Sequence, residues 1–183
     1  MVHPYRRQTQ MTRLAACLLL LLQATGQAGD VDTHWDAYRR GTPHFNEKEK
    51  ALWNGLYPTG KSCLKLSVDE AFKAANQDAY KNTTLNGPGD AVRHCVWNCE
   101  MARCFGVENA KQWADAHESN PSPAEEKKMD FHNNHWGREL WKTISKEIRE
   151  NPESLDSNGR CKLACEDALK AKKLMVLPPE TWR

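Results

Sequence analysis

The chain has 183 residues, with 26 lysines and arginines against 24 aspartates and glutamates, a formal net charge of +2, and seven cysteines. A nearly balanced charge without a basic block excludes the clustered lysine and arginine face of a nucleic-acid binder. No run approaches the ~20 apolar residues of a membrane-spanning helix, and the length suits one domain with a real core.

The first segment reads as a cleavable secretory signal over residues 1–28: Arg6, Arg7 and Arg13 precede an apolar run at residues 14–22, and small residues follow at 24–29. Cleavage after Gly26 or Ala28 fits, and Met11 is an alternative start. Removing this segment takes away three arginines and Cys17, so residues 29–183 carry a formal charge of 23 − 24 = −1 and six cysteines. The expected protein is therefore secreted or periplasmic, near neutral, and one helical domain over residues 29–183.

Helix signals follow in order. Asn46 to Glu49 and Ser67 to Glu70 read as capping boxes or close variants ahead of apolar positions. A third helix is expected from near Asp90 to Phe105, where Gly106 supplies a left-handed stop. A fourth spans about residues 107–118, with Ala110, Trp113, Ala114 and His117 as its inward stripe. It ends before Pro121, because proline disfavours helical geometry in the residue ahead of it. Ser122, Pro123 and Glu125 combine an N-cap, a proline at the first helical position and an acidic third position, so a fifth helix should reach Ile148. A sixth begins after Gly159 and carries Cys161, Ala164, Cys165, Ala168 and Leu169 on one face. The tail after Leu174 reads as extended, and residues 54–66 and 81–90 as loops. No alternating apolar run marks a β-strand, so the expected class is all-α, a compact domain of about six helices.

Cys95 and Cys99 on the third helix, and Cys161 and Cys165 on the sixth, each place two sulfurs on one helical face. Two such helices packed antiparallel are double-stapled by Cys95–Cys165 and Cys99–Cys161, which leaves Cys63 to pair with Cys104. The rival reading is a zinc site built from the same pairs, but exported proteins oxidise such pairs.

Polar residues stand where a purely structural bundle would place apolar ones, and such a local misfit points to function. His94 and Asn98 share a face of the third helix beside Arg93 and Trp97. His117 and Glu118 close the fourth. Asp130, Asn133, Asn134 and Gly137 form a helical stripe on the fifth, where the glycine marks close approach by another backbone. If these helices converge, the stripe is a hydrolytic apparatus, with one group activating water and another protonating the leaving group. The expected catalytic residues are His94, His117, Glu118 and Asp130, with Glu118 or His117 as the base. Arg93, Asn98, Asn133 and Asn134 are then the substrate-binding set. Residue types also suit a divalent metal, zinc held by His94, His117 and Asp130, a geometry that spacing leaves open. His132 and His135 lie off this face and read as solvent-facing. Trp53, Trp97, Trp113, Trp136 and Trp141 read as core aromatics. There is no H-E-x-x-H, no EF-hand loop and no G-x-S-x-G.

The segments Gly89 to His94, Trp97-Asn98, Ala116 to Glu118, Met129 to Asn134 and Gly137-Arg138 together resemble an α-helical domain of bacterial exported and polymorphic-toxin proteins. That group carries R-H, H-E and D-x-x-N-N-x-x-G motifs in this order. The resemblance covers about residues 85–145 and implies a toxin-like or envelope-acting hydrolase, with Arg93, His94, His117, Glu118, Asp130, Asn133 and Asn134 as the corresponding positions. The cysteines inside the first motif depart from the group's pattern. The expected function is hydrolysis of a cell-envelope component, phospholipid or peptidoglycan. The alternative is a non-catalytic disulfide-stapled protein that binds a protein partner, such as an inhibitor or immunity protein.

Overall fold

The structure is a computed structural model that describes residues 45–151 and 159–182. The secretory segment expected at residues 1–28 lies outside the described residues, as do residues 29–44 of the expected domain. Among the described residues there are six α-helices and no strand: α1 (Glu47–Gly55), α2 (Pro58–Ala75), α3 (Pro88–Phe105), α4 (Val107–His117), α5 (Ala124–Glu150) and α6 (Arg160–Lys170).

Helix α3 is the axis of the bundle, packed by α2, α4, α5 and α6. Its apolar positions Ala91, Val92, Cys95, Val96, Cys99 and Met101 are fully enclosed, and its acidic residues Asp90 and Glu100 are buried against the arginines three positions on. The capping box forecast for α1 is present. The Asn46 side chain accepts from the backbone N–H groups of Lys48 and Glu49, both at 3.0 Å, and Glu49 Oε2 accepts from the Asn46 N–H at 2.8 Å.

Two boundaries differ from the sequence reading. Helix α2 begins at Pro58 rather than Ser67, so most of the loop expected over residues 54–66 is helical. Pro58 is a favourable first residue of a helix, and Ser67 sits inside the helix with its hydroxyl donating back to the Leu64 carbonyl at 2.7 Å. At α5 the residue before the first turn is Pro123, with no capping hydrogen bond from a side chain, so the N-cap role read for Ser122 is not taken up. Gly106 has the expected positive φ of 85°, but with ψ of 161°, an extended rather than left-handed stop that also opens α4.

The three disulfides are those read from spacing: Cys95–Cys165, Cys99–Cys161 and Cys63–Cys104, with Cα separations of 5.9, 5.7 and 6.0 Å. They leave no cysteine of residues 45–183 for a thiolate zinc site, and they fit an oxidising environment. The first two tie α3 to α6 over a small cluster of Ile144 and the Cys99–Cys161 pair, flanked by Trp141, Ile148 and Ala164. Of the tryptophans read as core, Trp97 and Trp113 are buried. Trp53, Trp136 and Trp141 are only partly so. Trp136 lies under the Lys173 ammonium, 5.4 Å from its ring centre.

Candidate active site

Helix periodicity assembles the site from two facing stripes. On α3, Asp90, His94 and Asn98 recur every four residues, and on α5 so do Asp130, Asn134 and Arg138. The stripes meet because residue 137 is glycine. A Cβ there would run into the Cys95 carbonyl oxygen and come within 3.0 Å of the Asn98 Cβ. The sequence expectation of close backbone approach at Gly137 is met by α3 itself.

His94 lies at the centre, 3% exposed, and its two ring nitrogens face different surroundings. On the Nδ1 side is a chain of amides. Arg138 Nη1 donates to Asn98 Oδ1 at 2.7 Å, Asn98 Nδ2 donates to Asn134 Oδ1 at 2.6 Å, and Asn134 Nδ2 donates to Glu118 Oε1 at 2.9 Å. A guanidinium has only donors, so each amide's orientation follows in turn. Asn134 therefore presents an acceptor 3.2 Å from His94 Nδ1, and that nitrogen must carry the hydrogen.

The opposite nitrogen, Nε2, is thereby the acceptor of the neutral ring, with the Arg93 guanidinium as its donor. It faces Asp130 Oδ1 at 3.2 Å, Asp90 Oδ1 at 3.5 Å and Arg93 Nη2 at 3.1 Å. Arg93 also donates to Asp90 and lies over the Phe72 ring. Burial pushes Asp130 up to about 6, the nearby Glu118 and Asp90 carboxylates adding to the rise while His94 and Arg93 oppose it. For Asp90 burial is again the largest influence, but Arg93, His94 and the Asn86 N–H together outweigh it and hold the carboxyl below its usual value. Two carboxylates in one site are thus driven apart, a pattern that marks functional sites. Solvent reaches this pole through Arg93 and Asp130, whose side chains are 20% and 14% exposed.

The residues read from the sequence fall into three groups. His94, Asp130 and Arg93 form the accessible pole. Asn98, Asn134 and Glu118 belong to the same network but are enclosed, so they orient the imidazole rather than meet a substrate. Asn133 stands apart: its amide donates to the Met175 carbonyl and accepts from the Met175 N–H, both at 2.9 Å, and so fastens the C-terminal tail. His117 is held by Glu49 at 2.9 Å, its ring centre 6.4 Å from that of His94 and 5.1 Å from that of Trp97. It borders the site, but among the described residues the possible ligand atoms that gather within 4.8 Å of one another are those of Asp90, His94 and Asp130, not His117. Asp90 stands in that place instead. His135 is exposed as expected, but His132 donates to the Lys173 carbonyl at 2.7 Å and is not simply solvent-facing.

Three participants escaped the sequence reading of the site: Asp90, Arg138 and Glu49. Asp90 and Arg138 continue the four-residue spacing of their helices and were findable on that ground. Glu49 was not, because it meets His117 from 68 positions away. A groove of about 490 Å³ elsewhere, floored by Leu140, Ile144, Leu163 and Ala168, holds none of these residues.

Residues 57–160 match a family described as a domain of unknown function, DUF6973. That span is more than half of the chain. The chain belongs to this family. No curated protein and no solved structure matches it. The family's span takes in α2 to α5 and hence every member of the His94 network. It leaves out Glu49 and the tail that Asn133 holds.

Proposed function

We propose that this protein is a secreted or periplasmic, toxin-like hydrolase that acts on a cell-envelope component, phospholipid or peptidoglycan, with His94 as its central acid–base group. The observation that carries the reading is the fixed tautomer of His94. An imidazole whose Nδ1–H is committed to Asn134, and whose unprotonated Nε2 lies at a partly solvent-open pole, is arranged to take a proton from water or a substrate hydroxyl that displaces the Arg93 N–H from it. Asp130 shares that pole, and burial pushes its carboxyl up to about 6, so that it can carry a proton there under mildly acidic conditions. Arg93 supplies positive charge at the same edge, where negative charge would develop on an acyl or phosphoryl oxygen. Glu118 acts through Asn134, and His117 borders the pole.

The test is expression of wild type and His94→Gln in a bacterial periplasm, with extracted lipids and cell-wall fragments profiled by mass spectrometry. Wild type is expected to produce lyso-lipids or cleaved wall fragments, and His94→Gln to lower that yield about 100-fold or more, the scale of a lost acid–base group. Identical lipid and wall profiles for the two proteins, at equal folded yield, would overturn the reading.

A further inference from the structure

We propose that Asp90, His94 and Asp130 form a divalent metal site of the zinc class, with His94 Nε2 and one oxygen from each aspartate as its three protein ligands. This rests on the hydrolase reading only for what the ion would do there: with the ion bound, the Nε2 lone pair belongs to the metal, and the role of activating water passes from His94 to the metal-bound water.

Geometry is the first support. A tetrahedral ion with bonds of ~2.0–2.2 Å holds its ligand atoms about 3.4 Å apart. His94 Nε2 lies 3.2 Å from Asp130 Oδ1 and 3.5 Å from Asp90 Oδ1, and the three ligand atoms all fall within 4.8 Å of one another. These atoms can close on an ion by small shifts of their own side chains once the Arg93 guanidinium has given up its place among them.

The surroundings of the ligands are the second. A metal-binding histidine almost always gives its other ring N–H to an acceptor, which fixes its tautomer and aim. His94 does this through Asn134, and Asp90 is fixed in the same way, its Oδ2 accepting the Asn86 N–H at 2.7 Å. The third support is Asp130 Oδ1. It is buried and makes no aligned hydrogen bond, and a buried carboxylate oxygen without a donor is costly unless a cation faces it.

In this structure the cation at the cluster is the Arg93 guanidinium, in contact with both Asp90 and His94. Arg93 sits at the edge of the site, its side chain 20% exposed, and the proposal requires an incoming ion to displace this guanidinium and leave a fourth position to water. One imidazole and two carboxylates suit zinc or manganese, whereas a site for calcium or magnesium is built from oxygen. In a hydrolase, an ion so placed lowers the pKa of its bound water to about 7 and supplies the nucleophile at neutral pH.

The full secreted chain, stripped with EDTA and dialysed, is to be titrated calorimetrically with Zn2+, and with Co2+ to read coordination from its visible spectrum. One ion per chain is expected, with a tetrahedral cobalt spectrum. Asp130→Asn should weaken binding by about 100-fold or more, since it removes the charge of a direct ligand and losing a mere outer partner already costs about 10- to 100-fold, and Arg93→Met should tighten it by removing a competing charge. Thermal melting confirms that each variant is folded. Binding that persists unchanged in Asp130→Asn, or no binding by wild type, overturns the proposal. Envelope hydrolysis by a wild type that binds neither Zn2+ nor Co2+ would overturn the metal site and leave the hydrolase reading standing. A metal-binding protein without envelope activity would do the reverse.

Discussion

Replacing Cys95, Cys99, Cys161 and Cys165 together by serine is expected to lower the melting temperature by roughly 15–30 °C, the largest effect of any change considered. The two bridges span 70 and 62 residues, and chain entropy gives a loop of that size about 4 kcal/mol. They are not independent, because the Cys99–Cys161 loop lies inside the Cys95–Cys165 loop. Once either is closed, the other constrains only the short segments at its ends and adds a further ~2–3 kcal/mol. Either pair alone is therefore expected to matter less than its loop length suggests, while loss of both removes about 7 kcal/mol of a typical ~5–15 kcal/mol. At ~2–4 °C per kcal/mol for a chain of this size, that is the stated shift. Thermal unfolding followed by circular dichroism checks it, and a quadruple variant melting within about 5 °C of wild type contradicts the staple.

Gly137→Ala is expected to cost about 3 kcal/mol and to abolish activity, even though alanine is the better helix former by ~1 kcal/mol. The added methyl meets the Cys95 carbonyl, a backbone group tied to α6 by a disulfide, and the Cβ of Asn98. Neither is the yielding tip of a long side chain, so overpacking should cost the upper end of its usual ~1–3 kcal/mol range. To make room, α5 must withdraw from α3, and that separates Asp130 and Asn134 from His94. Denaturant unfolding measures the cost; a variant as stable as wild type would mean that α3 and α5 are not packed this closely.

Much of this arrangement was legible in the sequence because it is local. The C-x3-C pairs announce shared helical faces, and the pairing of two such faces gave the staples. Asp130, Asn134 and Gly137 were readable as an inward stripe because their spacing is the period of a helix and their chemistry is wrong for a core. The failures are just as physical. A run containing Gly60, Ser62 and Lys65 looks like a loop by composition, yet its leading proline opens a helix whose apolar face is supplied by α3. Asn133 belongs to the same polar stripe as Asn134, and nothing local distinguishes a side chain that fastens a distant tail from one that orients an imidazole. The ion pair of Glu49 with His117 is a tertiary fact with no local signature. The order in which the members of the His94 network donate and accept is likewise set only when α3, α4 and α5 meet.

Whether the polar stripe is a site held ready or a structural network is tested most directly by the stability of Asp130→Asn in EDTA. A structural carboxylate contributes its bonds, and its removal typically costs about 1–3 kcal/mol. Asp130 is instead half-buried next to other carboxylates, with one oxygen that makes no hydrogen bond, and groups kept for function at such a cost are often neutral or stabilising when replaced. The amide of asparagine has nearly the same shape and can donate to His94 Nε2. Asp130→Asn is therefore expected to melt at or above the wild-type temperature, and a drop of about 5 °C or more would contradict the account.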